Sequence, residues 1–435
     1  MKKLFKNEQI ILSGIFIIFS ISFLFTNLFK LPFFGTKVQI TEIIFLLCIP
    51  LLPIKKIINI QIEENKNIFI LLILLISLQY FSSLISHDSI SILVTSGRLY
   101  LLFLFFFFYY FSVKYLKNIF LDKIVIFIIY IVLFILLIGL VRIKLNLNTN
   151  IFTYFENYPY FGSVFRLQGF NTHPNMLANI LIISNLFLFY SIKRDGKYNC
   201  HKIMAILLSS FFLFLTFSKS LNIYFISLFV IFLNHIKIRK RYIFSIYILM
   251  VILNVFFTHV IIAPSSTSIK KSLINTNFTS DKLLFEDKNI SIIETGYLIL
   301  KKIEVQVISK NLFFGVGNGL FNQELNYYKE KKIYPAKLPN FDPHCTYLGF
   351  FSENGIFATF ILIFFLIYIF YLFYHNSINN DHNFILLVIF ISFLIEAIST
   401  DILNYRHFWF FLAIALPFLN NKAKRHINTQ FPIYG

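Results

Sequence analysis

Residues 342–365 read DPHCTYLGFFSENGIFATFILIFF, a polar approach that runs directly into an apolar segment. The apolar segment is long enough to cross a bilayer as a helix. The polar stretch before it, about Pro264 to Asp342, is by far the longest in the chain. His344 therefore stands where an extramembrane loop meets the membrane, so that water, a lipid head group and a polar acceptor can all meet there.

The composition predicts an all-α polytopic membrane protein. Hydrophobic residues make up 57% of the chain, Phe alone occurs 59 times, and the mean hydropathy is +0.74, far above that of soluble domains. Long apolar runs recur throughout, without the alternating segments of a transmembrane β-barrel. The net charge of +19 comes from Lys and Arg between the apolar runs, as membrane topology produces, and so predicts no nucleic-acid site.

Apolar length and periodicity predict about twelve transmembrane helices. The seventh, eighth, eleventh and twelfth are short, so that about ten or eleven full crossings are the alternative. The first resembles a signal peptide, but its apolar run is too long and lacks a small-residue cleavage site, which favours a membrane helix. The predicted helices cover roughly residues 9–29, 38–54, 67–86, 95–113, 123–142, 174–192, 203–218, 220–234, 243–263, 345–374, 384–399 and 403–419.

Basic clusters in alternate connections predict the topology. By the positive-inside rule these clusters face the cytoplasm, which places both termini there. The chain then divides into residues 1–263 with nine helices, an outward-facing periplasmic or extracellular loop over 264–343, and residues 344–435 with three helices and a cytoplasmic tail. The clusters are KKLFK, Lys55–Lys56, KYLK, KRDGK, KIRKR and KAKRH.

Five cations lie at predicted outer helix ends, against the trend of the topology. Two interpretations are open for each of them. A long basic side chain can reach back to the head groups, or several cations on one face can hold a di-anionic pyrophosphate, which fits the set better. The five are Arg98, Arg142, Arg166, Lys219 and Arg406.

The outward segment 143–174 carries further candidates. Its Tyr, Phe and Asn residues suit a carbohydrate, and they equally suit the aromatic belt of a membrane protein. Within the His173-Pro174-Asn175 triplet, Pro174 suits the first turn of a helix whose free amides could hold an anion.

The long loop contains a predicted amphipathic helix over 291–310, SIIETGYLILKKIEVQVISK. Tyr297 falls on its apolar face, and Lys301 and Lys302 are displaced from that face. The GVGNG sequence that follows has no strand before it, so we interpret it as a tight turn and not as a dinucleotide loop.

No metal or cofactor is predicted. The cysteines have no metal-binding spacing. The nearest outward carboxylates, Asp88 and Asp342, stand apart from each other, so that no pair is present to hold a metal-bound nucleotide sugar. Acids within apolar runs are site candidates that could equally pair with polar groups of neighbouring helices: Glu42, Glu353 and Glu396.

Four stretches carry a resemblance to a known family. FRLQGFNTHPNMLANIL is similar to an Arg…Gly…His-Pro-Asn segment that opens a middle helix, and LTFSKSLNIYFI is similar to a Ser-Arg hairpin. SKNLFFGVGNGLF resembles a Gly-x-Gly turn, and PHCTYLGFFSENGIF resembles a His-Asn-Thr-Tyr-Leu…Glu-x-Gly helix start. Over roughly residues 160–360 the chain thus resembles the O-antigen ligase / O-antigen polymerase superfamily of bacterial envelope glycosyltransferases.

The chain departs from that family's pattern at several positions. Lys219 stands where the family usually has Arg, which keeps the charge but loses the bidentate fork. Cys345 replaces an Asn, and Leu312 replaces a Pro before the glycine turn. The family commonly has an Arg at the start of the long-loop helix, and this loop has no Arg, so that Lys301 or Lys302 would substitute for it.

The resemblance implies a GT-C-like helical fold and metal-independent glycan transfer from undecaprenyl pyrophosphate. His344 would take the proton of the acceptor hydroxyl or orient that hydroxyl; a helix cap or an interfacial anchor is the structural alternative. Outer-face side chains would hold the pyrophosphate and its glycan. These predicted substrate-binding residues are Arg98, Arg166, Lys219, Arg406, His173, Asn175, Lys301 and Lys302.

The predicted function is polymerisation of lipid-linked oligosaccharide repeat units into O-antigen or capsular polysaccharide on the outer face of the inner membrane. A ligase that transfers the glycan to lipid A core is the alternative, and the departures from the family's pattern favour the polymerase. A glycan transporter is the alternative of another class, against which the single large loop and the lack of internal repeats speak. Expected partners are the undecaprenyl-pyrophosphate-linked glycan, membrane lipid and other polysaccharide-assembly proteins.

Overall fold

The computed structural model describes residues 11–20, 40–115, 118–145, 152–158, 162–171, 173–195, 199–236, 240–264, 279–287, 290–336, 338, 340–378 and 380–419. Its helices are α1 (Ile11–Ser20), α2 (Ile40–Cys48), α3 (Ile54–Ile85), α4 (Ser89–Tyr115), α5 (Asn118–Lys144), α6 (Pro174–Asp195), α7 (Cys200–Leu215), α8 (Ser220–His235), α9 (Lys240–His259), α10 (Gly296–Lys310), α11 (Phe321–Glu330), α12 (Thr346–Ser377), α13 (Asp381–Glu396) and α14 (Arg406–Leu419). Its strands are β1 (Thr153–Tyr158), β2 (Gly162–Leu167), β3 (Val260–Pro264), β4 (Thr279–Glu286) and β5 (Ile290–Thr295).

The helical membrane-protein class is confirmed. A helix satisfies its own backbone hydrogen bonds, which lipid cannot do for it, so long apolar runs become helices. Shorter apolar helices accompany the long ones, and the count of about twelve crossings stays a prediction. Among the described residues, five helices are long and apolar enough to span a membrane: Ile54–Ile85, Ser89–Lys114, Val125–Lys144, Pro174–Arg194 and Thr346–Ser377.

Helices α12 and α13 connect the long loop to the middle helices of the bundle. Helix α12 packs against α3, α13 and the loop helix α10, and α13 packs in turn against α6 and α8. The first residues of α12, next to His344, therefore lie between the long loop and the middle helices.

The segments predicted to face outward contain strands that the sequence interpretation did not predict. Strands β1 and β2 form an antiparallel hairpin in which Tyr154 pairs with Arg166. The ninth helix, predicted to reach residue 263, ends at His259 instead. Val260 pairs with Glu294 of β5, because the β-branched run VII and the Pro at its end favour an extended edge strand over a helix.

The helix predicted over 291–310 in the long loop is present in part: α10 begins at Gly296 and ends at Lys310, and the residues before it form strand β5. It shares a small core with α11, a helix that was not predicted. Ile303 and Val307 of α10 and Phe321 and Leu325 of α11 are all buried there. The loop thus has a packed structure that can present side chains at fixed positions.

The glycine turn after α10 docks into a break in α12. At Gly355, with φ 75°, the helix is interrupted. Val316 N donates to Ser352 O at 2.9 Å, and Gly317 N donates to Glu353 O at 2.8 Å, which satisfies carbonyls that the break frees. A Cβ on Gly355 would lie 2.0 Å from Phe313 O, so that only glycine allows this approach.

Candidate functional site

Arg166, Asn175 and Ser218 form one hydrogen-bonded cluster at the N-terminal end of α6. Arg166 Nε donates to Thr216 O at 2.9 Å, and its Nη2 donates to Asn175 Oδ1 at 2.9 Å. Ser218 Oγ donates to the same Asn175 oxygen at 2.8 Å. The structure thereby joins strand β2, the start of α6 and the α7–α8 turn, which belong to separate stretches of the sequence.

His173 lies at the start of α6 beside this cluster. Its Nδ1 accepts a hydrogen bond from Asn175 N at 3.2 Å, so the side chain caps an otherwise free helix amide. Burial, and then the charges of Arg166 and His344, lower the pKa of His173 to about 4. His173 is therefore a neutral acceptor at pH 7, close to both Arg166 and His344.

Tyr297 joins Lys219 to His344. Lys219 Nζ lies 4.1 Å from the centre of the Tyr297 ring, a cation–π geometry. The ring centres of Tyr297 and His344 are 5.2 Å apart, and Phe341 flanks His344 on another side at 5.3 Å. Lys219 of the α7–α8 turn, Tyr297 of α10 and His344 before α12 thus meet at one place, which we call the His344 site together with Arg166, His173 and Asn175.

His344 is partly buried and electrically neutral in this environment. Its pKa is lowered to about 4, mainly by burial; the charge of Asp342 opposes this shift, and the charge of Lys219 adds to it. A neutral imidazole has one ring nitrogen with a free electron pair, so it can accept a proton from a hydroxyl group.

Glu396 accepts hydrogen bonds from side chains next to the α7–α8 turn. Ser220 Oγ donates to its carboxylate at 3.2 Å, and Asn179 Nδ2 donates to it at 3.3 Å. These bonds tie α13 to α8 and α6 and hold the turn that carries Lys219. The sequence left Glu396 open as a site residue or as a partner of polar groups on neighbouring helices. The structure shows it in contact with such polar groups.

Arg98 is held in a separate polar cluster. Its guanidinium lies 3.5 Å from Glu353 and 3.3 Å from Asp401, so that two carboxylates surround one cation. It also donates to Gln79 at 3.1 Å and to Asn318 of the glycine turn at 2.5 Å. Arg98 is buried, and its contacts join α3, α4, the glycine turn and α12.

Arg406 is likewise paired, with Glu42 of α2, and is buried. Arg142 lies over the ring of Phe152 at 5.9 Å. The five cations of the sequence interpretation therefore divide in the structure: Arg166 and Lys219 belong to the His344 site, Arg98 and Arg406 have carboxylate partners elsewhere, and Arg142 lies over an aromatic ring.

The two candidate lysines of α10, Lys301 and Lys302, differ in their surroundings. Lys302 pairs with Glu294 of β5. Lys301 is partly buried, which lowers its pKa, while the nearby Cys345 and Glu304 oppose that shift. Cys345 directly follows His344, so its interaction with Lys301 puts Lys301 close to the His344 site.

Within the described ranges, no group of three or more His, Cys, Asp or Glu side chains could hold a metal ion. Asp342 accepts a hydrogen bond from Asn322, and Asp88 accepts one from Gln323 at 3.4 Å.

Tyr297 is the candidate that sequence interpretation missed. The pattern assigned it to the apolar face of α10, and nothing local distinguishes a packing tyrosine from one beneath a cation. Its position between Lys219 and His344 depends on contacts between residues far apart in the chain.

Comparison with known protein families gives a match that lies mostly in the second half of the chain. The family described as O-antigen ligase matches residues 204–363. The matched range contains Lys219, Tyr297 and His344, and Arg166, His173 and Asn175 precede it. No curated protein matches the chain.

Proposed function

The chain belongs to the superfamily of O-antigen ligases and polymerases, and we propose that it polymerises undecaprenyl-pyrophosphate-linked repeat units on the outer face of the inner membrane. The observation that supports this proposal is the His344 site, where Lys219 lies near the neutral imidazole of His344, and His173 lies near both Arg166 and His344. A base for the acceptor hydroxyl and charges for a diphosphate leaving group are the two requirements of the reaction.

In the proposed reaction the acceptor sugar hydroxyl attacks the anomeric carbon of the donor glycan. The new bond joins that oxygen to the anomeric carbon, and the bond from the anomeric carbon to the pyrophosphate oxygen breaks. His344 takes the hydroxyl proton, and undecaprenyl pyrophosphate leaves with the electron pair. Arg166 and Lys219 stabilise the charge on the leaving group, Asn175 orients Arg166, and His173 caps the backbone amide of Asn175.

The pyrophosphate also raises the basicity of His344 in this scheme. In the free protein Lys219 lowers the pKa of His344. A bound dianion offsets that cation, so the imidazole becomes a better base when the donor is present.

A ligase is the second candidate, because the matched family is described as O-antigen ligase. The two reactions share the donor and differ in the acceptor. Purified protein supplied with lipid-linked repeat units alone should make longer chains if it is a polymerase. Product that forms only when lipid A core is added would identify a ligase.

Donor binding tests the site. We expect Arg166→Ala to weaken donor affinity by roughly 1.5–3 kcal/mol, or about 10- to 150-fold, because a charged hydrogen-bond donor is lost. Donor titration of the purified variant measures this, with Arg142→Ala as control, since Arg142 is another outer cation that lies over Phe152. Unchanged affinity in Arg166→Ala would remove Arg166 from the site.

The proposed topology has twelve GT-C-like crossings with both termini in the cytoplasm. A reporter fused near Asn322 is then expected to be active only outside the cytoplasm, and one near Lys240 only inside. Asn322 lies within the long loop, and Lys240 lies within the basic cluster KIRKR. Cytoplasmic labelling of the loop would contradict the proposal.

The proposed reaction needs no metal, because the charge of the leaving group is met by Arg166 and Lys219. Glycan transfer is therefore expected to continue in EDTA at an undiminished rate. A strict requirement for a divalent ion in the same assay would point to Asp88 or Asp342 as unrecognised ligands.

A further inference from the structure

A cavity of about 80 Å³ lies within the helical bundle, bordered by α1, α5, α6 and α14. Its wall is almost wholly hydrocarbon, and its polar side chains are Ser20, Ser184 and His407. It is distinct from the His344 site, none of whose residues line it.

His407 is the polar group of this wall that lacks a partner. Ser20 Oγ donates to Phe16 O at 2.7 Å, and Ser184 Oγ donates to Ile180 O at 2.7 Å, so both hydroxyls are satisfied within their own helices. The His407 side chain is only 8% exposed, and its buried Nε2 has no hydrogen-bond partner within the described part of the chain. An unsatisfied buried group of this kind is destabilising, and a bound molecule with a polar atom at that point would satisfy it.

The ring of His407 is held in place by its neighbours. It stacks on Tyr405 with ring centres 4.8 Å apart and on Phe393 with ring centres 5.9 Å apart. The imidazole therefore offers a fixed donor at one end of the cavity, just inside the Arg406–Glu42 ion pair at the start of α14.

The cavity follows one face of α14. Its lining residues on that helix run from His407 to Phe418, a distance of about 16 Å at about 1.5 Å per residue. Half of a bilayer's hydrocarbon core is about 15 Å thick. The length therefore corresponds to one lipid chain in one leaflet.

We propose that this cavity binds one acyl chain of a glycerophospholipid, whose ester carbonyl accepts a hydrogen bond from His407 Nε2–H. The ester group of such a lipid lies just below its head group, as His407 lies just inside the end of α14. The lipid-linked donor fits less well, because its only polar end is a pyrophosphate that needs cations. The cation at this end, Arg406, is already paired with Glu42.

Native mass spectrometry of the purified full-length protein, incubated with dioleoyl phosphatidylethanolamine, tests the proposal. We expect one tightly retained lipid per chain in the unaltered protein and in His407→Gln, whose side-chain amide also donates. His407→Phe is expected to weaken retention about 5- to 10-fold, the loss of one hydrogen bond. Ala415→Phe fills the cavity and is expected to abolish retention.

Leu207→Phe is the control, because Leu207 is 60% exposed on α7 and does not line the cavity. Equal lipid retention by His407→Phe and His407→Gln would overturn the proposal. This comparison tests the proposal even if Ala415→Phe fails to insert into the membrane. A second arm adds undecaprenyl phosphate. If undecaprenyl phosphate displaces the phospholipid from the unaltered protein, and excess phosphatidylethanolamine then fails to displace the undecaprenyl phosphate, the cavity is a polyprenyl site and the proposal is overturned.

Discussion

His344→Ala is expected to lower the turnover number by about two to four orders of magnitude, the usual contribution of a general base. Donor binding should survive, because Arg166 and Lys219 lie on other elements and remain in place. Donor affinity and product formation are measured separately, after membrane insertion has been confirmed. His201→Ala is the matched control, since this histidine lies in the first turn of α7, outside the His344 site.

The pH profile gives an independent readout of the same residue. With a pKa of about 4, His344 is neutral from pH 7 down to about pH 5. The ratio kcat/KM, which reports the free protein, should thus stay level over that range and fall only as His344 is protonated near pH 4. If His344→Ala keeps a near-normal rate and product length, His344 is an interfacial anchor and the proposed mechanism is wrong.

The sequence predicts the membrane class and most helices because these depend on local apolar length. The contact between Arg166 and the α7–α8 turn cannot be predicted from local apolar length. It depends on a β-hairpin whose Tyr, Phe and Asn residues also suit a membrane belt, so composition alone gave no reason to prefer strands.

Local sequence patterns could not predict the ion pairs either. Arg98 and Glu353 are 255 residues apart, and Arg406 and Glu42 are 364 apart. A sequence shows that Arg98 and Arg406 stand at helix ends and that Glu42 and Glu353 lie within apolar runs. It does not show which helices adjoin, and that alone decides whether such a cation is available to a ligand.

Arg98→Met is the substitution for which we expect the largest loss of stability, about 3–5 kcal/mol. Arg98 lies between Glu353 and Asp401, and its removal leaves two carboxylates without their cation. Burial raises the pKa of Asp401, and Arg98 is the main group that opposes the shift. The loss is measured as thermal unfolding of purified protein in detergent, and the expected result is a markedly lower transition temperature.

Two further variants separate this structural role from donor binding. Adding Glu353→Gln and Asp401→Asn to Arg98→Met removes both uncompensated charges and should restore much of the lost stability. Arg142→Met, which has the ring of Phe152 as its neighbour, should cost less than about 1 kcal/mol. The sequence placed Arg98 among the pyrophosphate ligands, and that interpretation makes the opposite prediction. If Arg98→Met unfolds at the normal temperature and binds the donor weakly, Arg98 holds the pyrophosphate and its carboxylates release it on binding.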